Sequence, residues 1–398
     1  MSLVALWTLL LAAAAVAYGG IPLGDEYVHQ LQVHMFIEGR YTLLPYLTTI
    51  PGFHVLVAGI QKLLQTDSVG VSRLVTMAFA VLGALAFAGI RRALAPGEDP
   101  RLATLQFVFF PILFPFLFLI YTDVPSLALV LWAFRCSLDR RHVLAGVLGI
   151  ASLLVRQNNI VWIAFIALLQ VLEMGSAYRS WRDWLRACTA LWPYVVNAAA
   201  FAGFWLWRGS ISLSLEQASL HPDLSLRSGN LFFMLFLFGL FFLPLLVVWF
   251  PRYARAVPSR PALLLIPVLL GILYVTTFTV DNQHNFTDPE YYLRNGVLAL
   301  VTGQRWAFVG FGVVAAIAGC AISQVRWRRP GFATLIPVSM LFVSASWLIE
   351  QRYYLIPIAL LLAFRVPEER RAERVLLACW IPIAAGFLFG MLTEAFFL

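Results

Sequence analysis

Near the start of the chain two carboxylates stand side by side, Asp25 and Glu26, with His29 one helical turn further on. Carboxylate and imidazole groups are the side chains of metal sites. No His-Glu-x-x-His or comparable ligand spacing accompanies them, so no resident metal is expected, although a divalent ion on Asp25 and Glu26 stays open. The plainer reading of Asp25 is a cap on a helix that continues through His34. Arg156-Gln157-Asn158-Asn159 sets four hydrogen-bonding side chains between apolar stretches, and an arginine at a bilayer edge either meets a lipid phosphate or snorkels to water. Tyr121-Thr122-Asp123 places a carboxylate at a turn, and Asp281-Asn282-Gln283-His284, Arg294 and Glu350-Gln351-Arg352-Tyr353-Tyr354 follow later. Glu350 and Arg352 are spaced to neutralise each other. There is no Gly-rich phosphate loop and no Ser nucleophile elbow, so nucleotide-dependent and acyl-transfer chemistry have no foothold.

The elements that must position these residues are membrane helices. Hydrophobic residues make up 61% of the 398 and charged residues 12%, against about 45–50% and about 25% in soluble domains. Runs such as Leu231 to Phe250 are apolar on every face, which fits helices and not the alternation of a transmembrane barrel. Hydropathy predicts an all-α polytopic chain with about 13 spans, within 11 to 14, near residues 3–21, 69–90, 102–120, 123–138, 142–155, 158–172, 188–208, 230–250, 261–280, 304–324, 331–349, 352–365 and 374–396. A further segment at 50–64 is expected to lie flat on the outer surface. Several spans are short, as re-entrant helices around a cavity would be. No repeat and no soluble domain is visible. Residues 1–398 read as one transmembrane domain whose longest polar stretches are the outer loops 22–50, 208–229 and 281–303. The four cysteines sit singly in apolar runs and read as small buried hydrophobes.

The net charge of +8 is a topology signal and not a nucleic-acid footprint. Alternating the loops puts 19 of the 28 basic residues on one side for a net +11, which leaves −3 on the other. The basic side is cytoplasmic and carries the N-terminus. Five of the six histidines, His221 among them, and every polar motif above fall on the opposite side, where they describe an outward-facing polar cavity.

Read in order, the motifs resemble the dolichyl-phosphate-glucose alpha-1,2-glucosyltransferases of lipid-linked oligosaccharide synthesis. The resemblance runs through Asp25-Glu26-x-x-His29, Glu38-Gly39, Thr48-Thr49-x-Pro51-Gly52, Tyr121-Thr122-Asp123, Arg156-Gln157-x-Asn159, Trp192-Pro193-Tyr194, His221, Asp281-Asn282-x-His284 and Glu350-x-Arg352-Tyr353. It implies a GT-C type fold, no cofactor, and an inverting transfer of a hexose, glucose by resemblance, from a polyprenyl-phosphate donor to a lipid-linked or other glycan. The active site would face the lumen of the endoplasmic reticulum in a eukaryote, or the outside of the plasma membrane in a prokaryote. It makes Asp25 the general base with Glu26 its rival, and Arg156, Arg294 and Arg352 the ligands of the donor phosphate. His29, Asp123, Gln157, Asn159, His221, Asp281, Asn282, His284 and Glu350 would contact sugar or acceptor. The chain is compact, lacking the cytoplasmic insertion near 173–186 of eukaryotic members. The competing class is a lipid-linked sugar transporter or scramblase, which predicts inverted repeats and polar residues at mid-membrane depth; neither is evident.

Overall fold

A computed structural model describes residues 20–174, 181–214 and 225–398. The expected first span at 3–21, all but its last two residues, and His221 lie outside these. Among the described residues the secondary structure is helical with no strand, and the chain is an all-α polytopic membrane protein. Among the described residues five helices are long and apolar enough to cross a bilayer, or six if one bent pair is a single span. Four shorter apolar helices accompany them. The residues divide into two compact units, Met1–Phe107 with Phe114–Ser219, and Val108–Leu113 with Leu220–Leu398.

The first unit holds α1 (Glu26–Ile37), α2 (Gly52–Leu63), α3 (Val69–Leu94), α4 (Arg101–Val108), α5 (Leu113–Phe116), α6 (Asp123–Leu138), α7 (His142–Val155), α8 (Ile160–Met174) and α9 (Trp181–Arg208). Helix α6 packs against α3 and α7, and α9 against α7 and α8. Helices α1 and α2 form a pair whose Val33, Phe36, Phe53 and Val57 close over Ile120 and Val155. Gly52 opens α2 at a point of close approach, where a β-carbon would sit 2.5 Å from the Leu154 carbonyl oxygen. The span expected at 102–120 is not one helix. It stops at Val108 and resumes for one turn at Leu113–Phe116, because Pro111 lacks a backbone donor and its ring clashes with the preceding turn.

The second unit holds α10 (Gly229–Phe241), α11 (Leu243–Ala256), α12 (Leu265–Thr277), α13 (Leu293–Gly303), α14 (Arg305–Ile322), α15 (Leu335–Ser344), α16 (Leu355–Phe364) and α17 (Arg370–Leu392). Helix α14 is the hub, packed against α10, α11, α12 and α13. All ten residues of α16 are buried, which suits a helix that is hydrophobic all round. Only Tyr274 of α12 is buried, so its Leu265, Val268, Leu269 and Ile272 are left to lipid. The span expected at 230–250 bends by 103° at Phe242. Pro244 lies in the first turn of α11, where a missing N–H costs nothing and a new helix axis can start.

Close packing at Gly52 gives a paired test. Gly52→Ala is expected to destabilise the protein by about 1–3 kcal/mol. Gly59→Ala, in the same helix with nothing within 4 Å of its added carbon, is expected to be neutral or to stabilise by up to about 1 kcal/mol. Thermal unfolding of both variants in detergent checks the difference.

Candidate active site

In the first unit the adjacent acids Asp25 and Glu26 have opposite environments. Glu26 is fully buried against Arg73, itself 1% exposed. Arg73 Nε donates to Glu26 Oε1 at 3.0 Å and Nη2 to Oε2 at 2.6 Å. The backbone N–H of Leu23 donates to Oε2 at 2.8 Å and that of Ile120 to Oε1 at 2.7 Å. Four donors therefore occupy this carboxylate and tie the head of α1 to α3 and to the turn before α6. Asp25 is exposed at the N-cap of α1, but its side chain makes no capping bond, so the cap expected from the sequence is not formed. Its backbone N–H donates to the Tyr121 hydroxyl at 3.0 Å.

Tyr121 also sets the imidazole beside it. The His29 ring stands edge-on to Tyr121 at 5.6 Å, and its Nδ1 lies 2.8 Å from Nε2 of His54. Burial, and secondarily His29, push the His54 pKa well below the ordinary histidine range, so His54 is neutral and one ring donates to the other. Further along, Arg156 forms an ion pair with Asp123 at the first turn of α6. Gln157 acts as a staple: its Nε2 donates to the carbonyls of Thr48 and Ile211, each at 2.8 Å, and its Oε1 accepts from Ile50 N–H at 3.3 Å. Asn159 exchanges hydrogen bonds with Ser126 and donates to the Ser152 carbonyl at 2.9 Å.

The second unit assembles the other candidates. Asp281 accepts from Arg227 at 2.8 Å and from the Trp347 indole at 2.5 Å. Asn282 caps a short 3₁₀ turn by accepting from His284 N–H at 3.0 Å, and exposed His284 gives its carbonyl to Asn295 at 2.9 Å. Arg294 and Arg352 both donate to Oε2 of buried Glu350, Arg352 at 3.2 Å. Burial opposes ionisation of Glu350, but the Arg294 guanidinium and then Arg352 outweigh it and hold the carboxyl at about 2. The turn is anchored by Asn230, whose Oδ1 accepts from Glu350 N–H at 3.0 Å and from the Tyr354 hydroxyl at 2.8 Å.

The Asp25 to Asn159 candidates thus fall in the first unit, and Asp281 to Arg352 in the second. Among the described residues no group of three His, Cys, Asp or Glu side chains could hold a metal ion.

A family model described as the DIE2/ALG10 family matches residues 21–183 and 173–363. The chain belongs to the DIE2/ALG10 family. Relatives named Dol-P-Glc:Glc(2)Man(9)GlcNAc(2)-PP-Dol alpha-1,2-glucosyltransferase include one from Mus musculus, 27% identical over 84% of this chain and 82% of its own length. One from Homo sapiens is 26% identical with the same coverage. One from Drosophila melanogaster is 25% identical over 93% of this chain and 88% of its own length. No solved structure matches.

In this DIE2/ALG10 chain, three residues that build the clusters, Arg73, His54 and Asn230, were not singled out from the sequence, and Gln351 was named only within its motif. Arg73 had a signal, a charge within an apolar span, which by default marks a partner or a site. His54 and Asn230 sit at the edges of apolar helices and could have been flagged the same way. Gln351 is 3% exposed and neither of its amide atoms has a partner, which only coordinates can reveal.

Two tests follow from the charge pairs. Arg73→Met leaves the Glu26 charge buried without its counterion and is expected to cost about 3–5 kcal/mol. Adding Glu26→Gln should recover part of that loss, as read in a double-mutant cycle of unfolding free energies. For Glu350 the folded-state pKa lies below its ordinary value of 4.5. Its contribution is therefore complete above that value and is lost as pH falls toward about 2. The melting temperature of the wild type should drop across that window more steeply than that of Glu350→Gln.

Proposed function

We propose that this chain is a glucosyltransferase that moves glucose from a polyprenyl-phosphate donor to a lipid-linked glycan, inverting the anomeric carbon in one displacement. The reading is carried by the contrast within one dipeptide. Glu26 is buried under four donors, whereas Asp25 is held at the surface beside it. Membership of a family whose relatives are named as glucosyltransferases supplies the reaction class.

Asp25 is the base. Its carboxylate takes the proton from the acceptor hydroxyl as that oxygen bonds to the sugar C1, while the bond from C1 to the phosphate oxygen breaks and polyprenyl phosphate departs. Glu26 and Arg73 position this base: Glu26 fixes the first turn of α1, and the Tyr121 hydroxyl holds the Asp25 backbone. His29, kept in orientation by neutral His54, is placed to receive a sugar hydroxyl.

Negative charge grows on the leaving phosphate, and Arg294 and Arg352 are its ligands. Two guanidinium groups converge on the carboxylate of Glu350, which gathers their positive charge at one turn. Arg156 forms an ion pair with Asp123 in the first unit and is the third candidate. Asn282 and His284 order the second-unit turn, and Gln157 and Asn159 order loops, with Asp123, Asp281 and Glu350 orienting arginines. Acceptor contacts fall to the exposed faces of His29 and His284. The fold proposed is of GT-C type with about 13 spans, the N-terminus in the cytoplasm and the site on the opposite face, in the endoplasmic reticulum of a eukaryote or the plasma membrane of a prokaryote.

Asp25→Asn is expected to reduce transfer by about 10²–10⁴-fold while the thermal stability and the affinity for polyprenyl-phosphate glucose stay near those of the wild type. Wild-type turnover by that variant in proteoliposomes supplied with lipid-linked glycan would remove Asp25 from the reaction.

A further inference from the structure

We infer that a cavity inside the second unit houses the first isoprene units of a polyprenyl phosphate whose head lies at Arg294 and Arg352; this rests on the donor reading above. The cavity has a volume of about 340 Å³ and is walled by residues of α10, α12, α14, α15 and α16, among them Leu231, Phe238, Leu270, Ile336, Ile358 and Leu361. That size lies in the range of about 300–1,000 Å³ typical of small-ligand sites.

Its place beneath the arginine pair follows from two helices. Leu231 on its wall is the residue after Asn230, and Asn230 directly anchors the backbone of Glu350 and the hydroxyl of Tyr354. On α16 the cavity begins at Pro357 and Ile358, five and six residues beyond Arg352, which is roughly 9 Å at about 1.5 Å per residue. The cavity wall therefore starts shortly after Arg352 along α16 and next to Asn230 on α10, and Arg294, on α13, meets the same turn through Glu350. On the same turn as Arg352, both amide atoms of buried Gln351 lack a partner among the described residues. A buried amide without partners is costly; a phosphate oxygen at the turn would accept from Nε2, and a sugar hydroxyl would donate to Oε1.

The occupant is an isoprenoid chain because the donor reading puts a polyprenyl phosphate at the arginines, and a free phosphate has nothing to fill an apolar cavity. Lipid tails are as apolar as leucine, so a bilayer supplies no hydrophobic drive into such a cavity. Occupancy must come from packing against the walls and from tethering to a head already bound. A tail covalently joined to the phosphate at Arg294 and Arg352 meets both conditions, because tethering makes its entry intramolecular.

The test compares transfer from a long polyprenyl-phosphate glucose with transfer from the two-isoprene analogue, using wild type, Leu361→Trp and Leu269→Trp. Leu269 is 60% exposed on the lipid side of α12 and controls for the added indole. The wild type and Leu269→Trp should favour the long donor by about tenfold or more in kcat/KM, and Leu361→Trp should lose that preference chiefly through the long donor. As a second measurement, a polyprenyl phosphate bearing a diazirine on its second isoprene unit should label residues 335–344 or 355–364 of the wild type, with protection by long polyprenyl phosphate and none by phosphatidylcholine.

A preference that persists in Leu361→Trp, a wild type indifferent to chain length, labelling elsewhere, or equal protection by phosphatidylcholine would each overturn the inference. If Leu361→Trp does not fold, the labelling decides. Failure of the donor reading itself has a separate signature, since the wild type would then transfer glucose from neither donor.

Discussion

Away from water, a polar group has to find its partner inside the protein, and this constraint sorts the polar residues of both units. Glu26 is the strictest case. Its carboxylate is fully buried, and its cost is met by the Arg73 guanidinium and by two backbone N–H groups from different parts of the chain. The head of α1, the start of α3 and the turn before α6 consequently share one junction. The position of Asp25 is inherited from that junction, since a residue adjacent to a fully bonded neighbour has little freedom to move.

The same accounting separates residues that build from residues that can act. Gln157, Asn159, Asn230, Asn282 and Asn295 spend their side-chain hydrogen bonds on loops and turns of their own unit. They are polar because the backbone around them bends, and bent backbone in an apolar setting needs donors and acceptors. Asp25, whose carboxylate is exposed, falls in the other group under the proposed mechanism. So do the two arginines that converge on one carboxylate at Glu350.

Much of this architecture was legible in the sequence because hydropathy and turn chemistry are local. Helices α6 and α7 begin and end at the residues expected, Asp123–Leu138 and His142–Val155. The breaks after Val108 and at Phe242 were not legible, although prolines lay close to both, because an apolar run reads as continuous whether or not its helix axis is. Partnership was legible only where partners are near in sequence. Glu350 with Arg352 could be paired by spacing, but the stronger contact of Glu350 is with Arg294, 56 positions away. Asp25 and Glu26 were indistinguishable as letters; Arg73, 47 positions from Glu26, tells them apart.

The junction at Glu26 also has a direction built into it. An ion pair between two side chains can in principle be exchanged end for end, with arginine at the first position and glutamate at the second. Here that exchange fails on stereochemical grounds, because the N–H groups of Leu23 and Ile120 point at position 26 and need an acceptor there, while the Ile21 carbonyl faces position 73 and needs a donor. The main chain, which no substitution alters, dictates which sign each site carries. A homologous chain that keeps this loop geometry can lose the pair together, but it has no route to reversing it.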